Sequence, residues 1–201
     1  MIGDAFVFDG VAHPFNFTPK NAYGSAGDMF NQHLYAFHNV LTPENEPKLS
    51  AEEYLKEWTP ADIRQMVYDE SDTDMLVAMP LPLTDLFRDG LSPWEECAEL
   101  ARRNPDRTMF WGSVNPLEGR RALDLMERQV GEFGAKAFKF YNVRYDYGRP
   151  FPWRMDDPQN TVRSGLRLAS SAHSSQGERP SRNRSVSGSG MAHSMSVELL
   201  R

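Results

Sequence analysis

A histidine that closes an apolar run and a lysine set between two phenylalanines are the residues of this sequence whose type and place admit chemistry. His13 ends AFVFDGVAH, Ala5 to His13. An imidazole at the carboxyl end of a buried strand stands where parallel-sheet enzymes gather their ligands, so His13 is a candidate metal contact. One imidazole falls short of the three or four ligands a metal needs, and a polar strand end hydrogen-bonded locally is the other reading. Asp9 lies four residues earlier. On a period of two it shares a side with His13 and would orient the ring; equally, it would cap the backbone amides at Gly10. Lys139 sits in AFKFY. Alternation puts Ala137, Lys139 and Tyr141 on one side and Phe138 and Phe140 on the other, so Lys139 faces inward if the phenylalanines face helices. A lysine so placed requires a carboxylate, from an acidic substrate or from a strand-end aspartate. Arg144, with Tyr145 and Arg149, adds anion-binding capacity on the following loop or is solvated there. The candidate site is thus His13 for a metal and Lys139 and Arg144 for a substrate, with no catalytic group assigned.

Other reactive types carry less. The single Cys97 excludes an internal disulfide and a cysteine-based metal cluster, and it falls in a helical pattern with Trp94, Leu100 and Ala101 as a small buried residue. His33 and His38 are five apart on a predicted helix, about 140° around its axis, and do not chelate one ion. His173 and His193 are isolated and receive no role. Phosphate-binding glycine loops and nucleophile elbows are missing from the sequence.

Four apolar runs are nearly continuous rather than alternating, as strands covered on both faces are: Ala5 to His13, Asp74 to Leu81, Thr108 to Pro116 and Ala135 to Val143. Helix starts between them repeat one chemistry. Ser50 precedes Glu53, Thr59 precedes Pro60 and Asp62, Ser92 precedes Pro93 and Glu95, and Asn115 precedes Pro116 and Glu118. Each offers a cap for orphan amides and a carboxylate near the positive helix end. A helix over Glu118 to Phe133 would bury Leu123, Met126, Val130 and Phe133 and stop at Gly134. The segment 14–49 reads as an insertion whose Met29, Phe30, His33, Leu34, Phe37 and Leu41 form an amphipathic helix, starting near Asp28, over the mouth of the sheet. The order predicts a parallel βαβ architecture of the α/β class.

At about residue 158 the pattern stops. SSAHSSQGERPSRNRSVSGSG is Ser/Arg-rich, and residues 159–201 contain no Phe, Tyr or Trp. With six Arg and two acidic residues that segment carries +4, leaving −10 on residues 1–158. It is expected to be a disordered tail without a fifth strand, and its composition resembles the product of a reading-frame shift. The acidic body argues against nucleic-acid and anionic-membrane partners, and the tail reads as a solvated segment. No apolar run approaches the roughly 18 residues that span a bilayer and no signal-peptide pattern opens the chain, so a cytoplasmic protein is expected.

Taken in succession, FVFDGVAHPFNF, SDTDMLVAMPLPLTDLFRDGLSP, NPDRTMFWGSVNPLEG and GAKAFKFYNVRY resemble the N-terminal half of an amidohydrolase-related protein, from the branch that includes aminocarboxymuconate-semialdehyde decarboxylase. The likeness covers roughly residues 5–158. It implies the first half of a TIM-like (β/α)8 barrel with a divalent metal, usually zinc, at the carboxyl ends of the strands. In that family a His-x-His pair closes the first strand and the other ligands come from strands five, six and eight. Only His13 carries over, since Val11 stands where the first histidine of the pair would be. The implied parent activity is metal-dependent hydrolysis, or the non-oxidative decarboxylation of a carboxy-lyase, on a small carboxylic or cyclic substrate. For this chain the expectation is a truncated protein of little activity. The alternative is an inactive remnant that self-associates through an open sheet edge at strand four.

Overall fold

The computed structural model describes residues 5–141 and the backbone of three further strands at 143–146, 149–152 and 195–198. Four strands follow the apolar runs: β1 (Phe8–Ala12), β2 (Met75–Ala78), β3 (Thr108–Ser113) and β4 (Ala137–Phe140). They pair in sequence order, all parallel, and curl as a half-barrel within a mixed α/β architecture. Each strand is shorter than its apolar run, because the run continues into the turns at both ends.

The helices are α1 (Gly24–Leu41), α2 (Ala51–Tyr54), α3 (Pro60–Arg64, extended by a π turn to Asp69), α4 (Trp94–Arg103) and α5 (Arg120–Gly131). Local chemistry sets their starts. Ser50 and Glu53 form a reciprocal capping box, as do Thr59 and Asp62. Two other starts differ from expectation. Pro93 itself holds the cap position of α4 in extended backbone, so Ser92 lies one residue too early to reach the free amides, and its hydroxyl meets Cys97 Sγ at 3.6 Å. Asn115 accepts from Leu117 N but caps a single 3-10 turn over Pro116–Glu118. Gly119, at φ +61°, breaks that turn before α5 begins.

The buried face of α5 is Ala122, Leu123, Met126 and Gln129, while Val130 is half-exposed and Phe133, past the helix end, is partly covered edge-on by Trp94. Gln129 has a strand-supporting role. Its amide accepts from Ser113 N and donates to Ser113 O, both at 2.9 Å, tying the helix to the end of β3. The side chain can come so close because β3 has glycine at 112, where a Cβ would run into the Gln129 amide and lie 2.6 Å from the Phe138 ring.

Leu76, Ala78, Phe110, Val114, Phe138 and Phe140 line the face of the sheet packed on α4 and α5, with Cys97, Leu100 and Met126 opposite. Phe138 and Phe140 therefore face the helices, which turns Lys139 to the other side of the sheet.

Past the end of the four strands the expectations change further. Residues 143–146 and 149–152, predicted to be loop, pair as two antiparallel strands, β5 (Val143–Asp146) and β6 (Arg149–Pro152). The boundary near residue 158 and the tail segment 159–194 lie outside the described residues. β7 (Met195–Glu198) pairs antiparallel with β4, so the β4 edge, expected to be open, carries a strand. The outer edges of the five-stranded sheet among the described residues are therefore those of β1 and β7. No described helix is long and apolar enough to cross a membrane.

Candidate functional site

The carboxyl ends of β1, β2, β3 and β4 bring together His13, Met79, Ser113, Lys139 and Tyr141. Ser113 and Lys139 are register partners on adjacent strands, and the Ser113 hydroxyl donates to Lys139 O at 2.9 Å. β1 and β2 are locked at the rim by Met79 N donating to Ala12 O at 2.9 Å. His13 Nδ1 is hydrogen-bonded to the Met79 carbonyl oxygen, which fixes the tautomer with the proton on Nδ1 and leaves Nε2 with its lone pair. Burial holds the His13 imidazolium off, pulling the pKa down to about 4; the Met79 bond offsets part of this and the Lys139 charge adds to it. His13 is thus a neutral base with one nitrogen committed.

Asp9 is not the group that orients His13. Between Asp9 and Ala12 three steps along β1 oppose two along β2, from Leu76 to Ala78. This bulge breaks the period of two and puts Asp9 in register with helix-facing Leu76. Its carboxylate accepts from Val11 N at 3.0 Å, which is the local-capping alternative. Val11, at the position of the first histidine in the resembling family, is largely exposed.

Lys139 is only 6% exposed and has no acidic partner within ion-pair distance among the described residues. Its Nζ lies 5.3 Å from the Tyr141 ring centroid, an i, i+2 neighbour on the same side. Desolvation pulls its pKa from 10.5 to about 8, with Cys97 acting in the opposite direction. The strand-end aspartate weighed as its partner is therefore not supplied by the described residues. Burial raises the Tyr141 hydroxyl to about 12 and the Cys97 thiol to about 12. Cys97 is fully buried, in keeping with a packing residue rather than a nucleophile. Arg144 lies on β5, in register with Phe151; its side chain is outside the described residues.

An aromatic roof, which sequence periodicity does not reveal, covers this rim. From His13, rings follow one another through Phe15 (5.4 Å), Phe17 (5.0 Å), Tyr54 (5.3 Å) and His38 (4.8 Å). Phe87 and Leu91 from the β2–α4 connection, and Phe30 and Leu34 of α1, complete the cluster, which Tyr141 joins from below. Helix α1 starts earlier than predicted and docks through Phe30 and Leu34, while Met29, Phe37 and Leu41 point outward. Buried Asn21 staples the insertion to that connection, donating to Asn16 O and Gly90 O at 2.9 Å and accepting from Asp89 N at 3.1 Å. His38 packs on Tyr35 and Tyr54 and accepts from Leu49 N; His33 is exposed. His173 and His193 lie outside the described residues.

Among the described residues no group of three or more His, Cys, Asp or Glu side chains is close enough to share a metal ion. His13 offers one well-oriented nitrogen, and its charged neighbour is a cation. This donor set alone does not fit a metal. Compared with protein-family models and with curated proteins, the sequence matches none.

Proposed function

We propose that the chain is the N-terminal half of a TIM-like (β/α)8 barrel of the amidohydrolase-related kind. The parent activity is metal-dependent hydrolysis, or non-oxidative decarboxylation, of a small carboxylic or cyclic substrate in the cytoplasm. Support comes from the succession of resembling segments and from four parallel strands whose carboxyl rim gathers His13 and Lys139 under an aromatic roof. The observation that carries the reading is the Lys139 amine, buried at that rim without a carboxylate among the described residues. A cation without a carboxylate among the described residues favours, in such a place, an anionic substrate group as its partner in a medium of low dielectric. Arg144 would join it as a second anion contact. In this assignment His13 contributes its free Nε2, as a ligand to zinc where further ligands exist and otherwise as a neutral hydrogen-bond acceptor.

A second reading, an inactive remnant, is favoured by the lack, among the described residues, of any group of three or more side chains that could share a metal with His13. Its self-association would use the β1 edge, where Phe8 and Val11 are exposed. Equilibrium dialysis of the purified chain against Zn2+ and benzoate separates the two. About one zinc ion per chain, lost in His13→Ala, together with benzoate binding lost in Lys139→Met, supports the enzyme reading. A chain that binds neither is the remnant.

A further inference from the structure

We propose that two copies of this chain pair antiparallel through the outer face of α1. The helix is apolar on both sides. Phe30 and Leu34 dock it onto the roof, while Met29, Phe37, Val40 and Leu41 are 60%, 57%, 79% and 75% exposed. Those four fall within about 120° of one another around the axis, on an 18-residue helix about 27 Å long. A helix that is apolar all round is ordinarily a covered one. The stripe also carries no charge, since residues 29–41 contain no Lys, Arg, Asp or Glu. Residues 1–158 carry −10, so contact between two charged faces would set like charges together, and this face avoids that.

The spacing sets the direction. With a twofold axis crossing between Leu34 and Tyr35, Met29 of one copy meets Val40 and Leu41 of the other, and His33 meets Ala36 and Phe37. The same axis matches charge. Asp28, the one acidic residue of α1, is exposed, and exposed Lys48 is held near the far end of the helix, donating to Asn39 O at 2.6 Å. Asp28 and Asn39 are eleven residues apart, hence within about 20° around the helix, on one flank of the stripe. Antiparallel helices set like flanks together. Asp28 of each copy then lies within about 3 Å, along the axis, of the Asn39 level that carries the other copy's Lys48. Parallel pairing would part them by about 16 Å along the axis. The four apolar side chains present on the order of 500 Å² per copy. A pair thus buries about 1,000 Å², the lower limit for a specific interface, which makes the dimer weak, with a dissociation constant on the order of 10 μM.

The test is sedimentation equilibrium of the full chain from about 1 to 200 μM, where monomer is expected at the low end and dimer at the high end. Phe37→Glu and Val40→Glu, both at exposed positions, should each weaken dimerisation at least about tenfold without moving the thermal unfolding midpoint of the monomer. Asp28→Lys and Lys48→Asp should each weaken it, and the two together should restore it. Phe8→Lys, on the β1 edge, should leave the dimer intact. A chain that stays monomeric throughout overturns the inference and leaves the α1 face to a different protein. A dimer indifferent to Phe37→Glu and Val40→Glu, or lost in Phe8→Lys, overturns it as well. A double exchange that fails to restore pairing contradicts the antiparallel arrangement. None of these readings depends on zinc or benzoate.

Discussion

Two apolar regions flank the carboxyl rim, and they are built on different principles. The layer between sheet and helices is aliphatic and phenylalanine-rich, comes from regular elements, and includes Leu76, Ala78, Cys97, Leu100 and Phe110, all at 2% exposure or less. The roof is aromatic, comes from the insertion and the β2–α4 connection, and leaves Phe15, Phe30 and Tyr54 only partly buried. Close packing of periodic elements makes the first a scaffold. The second is a cover held by ring contacts and a few polar staples, and it is expected to open at lower free energy. The site lies at their boundary, with Lys139 on a scaffold strand and Tyr141 in the roof.

The contrast breaks most visibly at Phe110. Phe110→Ala should cost about 3–5 kcal/mol in chemical denaturation and lower protection across the whole sheet in hydrogen exchange. An effect confined to neighbouring residues would contradict a single cooperative scaffold. Gln129→Leu keeps volume but strands the Ser113 amide and carbonyl, for an expected loss of about 2 kcal/mol, read as a shifted denaturation midpoint. Tyr54→Ala, in the roof, should cost only about 1 kcal/mol globally while exchange at residues 15–17 and 35–38 rises. A loss as large as that of Phe110→Ala would erase the distinction.

A pH profile sharpens it further. The folded Lys139 titrates below the unfolded side chain, so between pH about 8 and 10.5 the unfolded state holds the extra proton and stability rises with pH. Below pH 8 the burial penalty is fully present. Lys139→Met should flatten this rise in a series of denaturation curves.

The scaffold was legible because its signals are local. Apolar runs, the Ser50 and Thr59 capping boxes and the Gly134 stop each act within a few residues, and the side of Lys139 follows from the pleat alone. The differences arise where distant partners decide. The bulge that turns Asp9 away from His13 exists only against β2, and the bond that fixes the His13 tautomer is made to a carbonyl 66 residues away. The face on which α1 docks is set by Phe87 and Tyr54, which meet Phe30, Tyr35 and His38 and which no period relates to it. Gly119 was visible as a glycine, but its positive φ emerges only in the folded turn.

The central claim is that His13 and Lys139 both lie at the carboxyl rim, as a neutral imidazole and a buried amine without a carboxylate partner among the described residues. Heteronuclear NMR titration of the two side chains in the full chain tests it most directly. The account predicts a His13 ring protonated on Nδ1 and unchanged down to pH about 4, and a Lys139 amine titrating near 8. A Lys139 midpoint at 10.5 would contradict it, as would a His13 midpoint at 6.5.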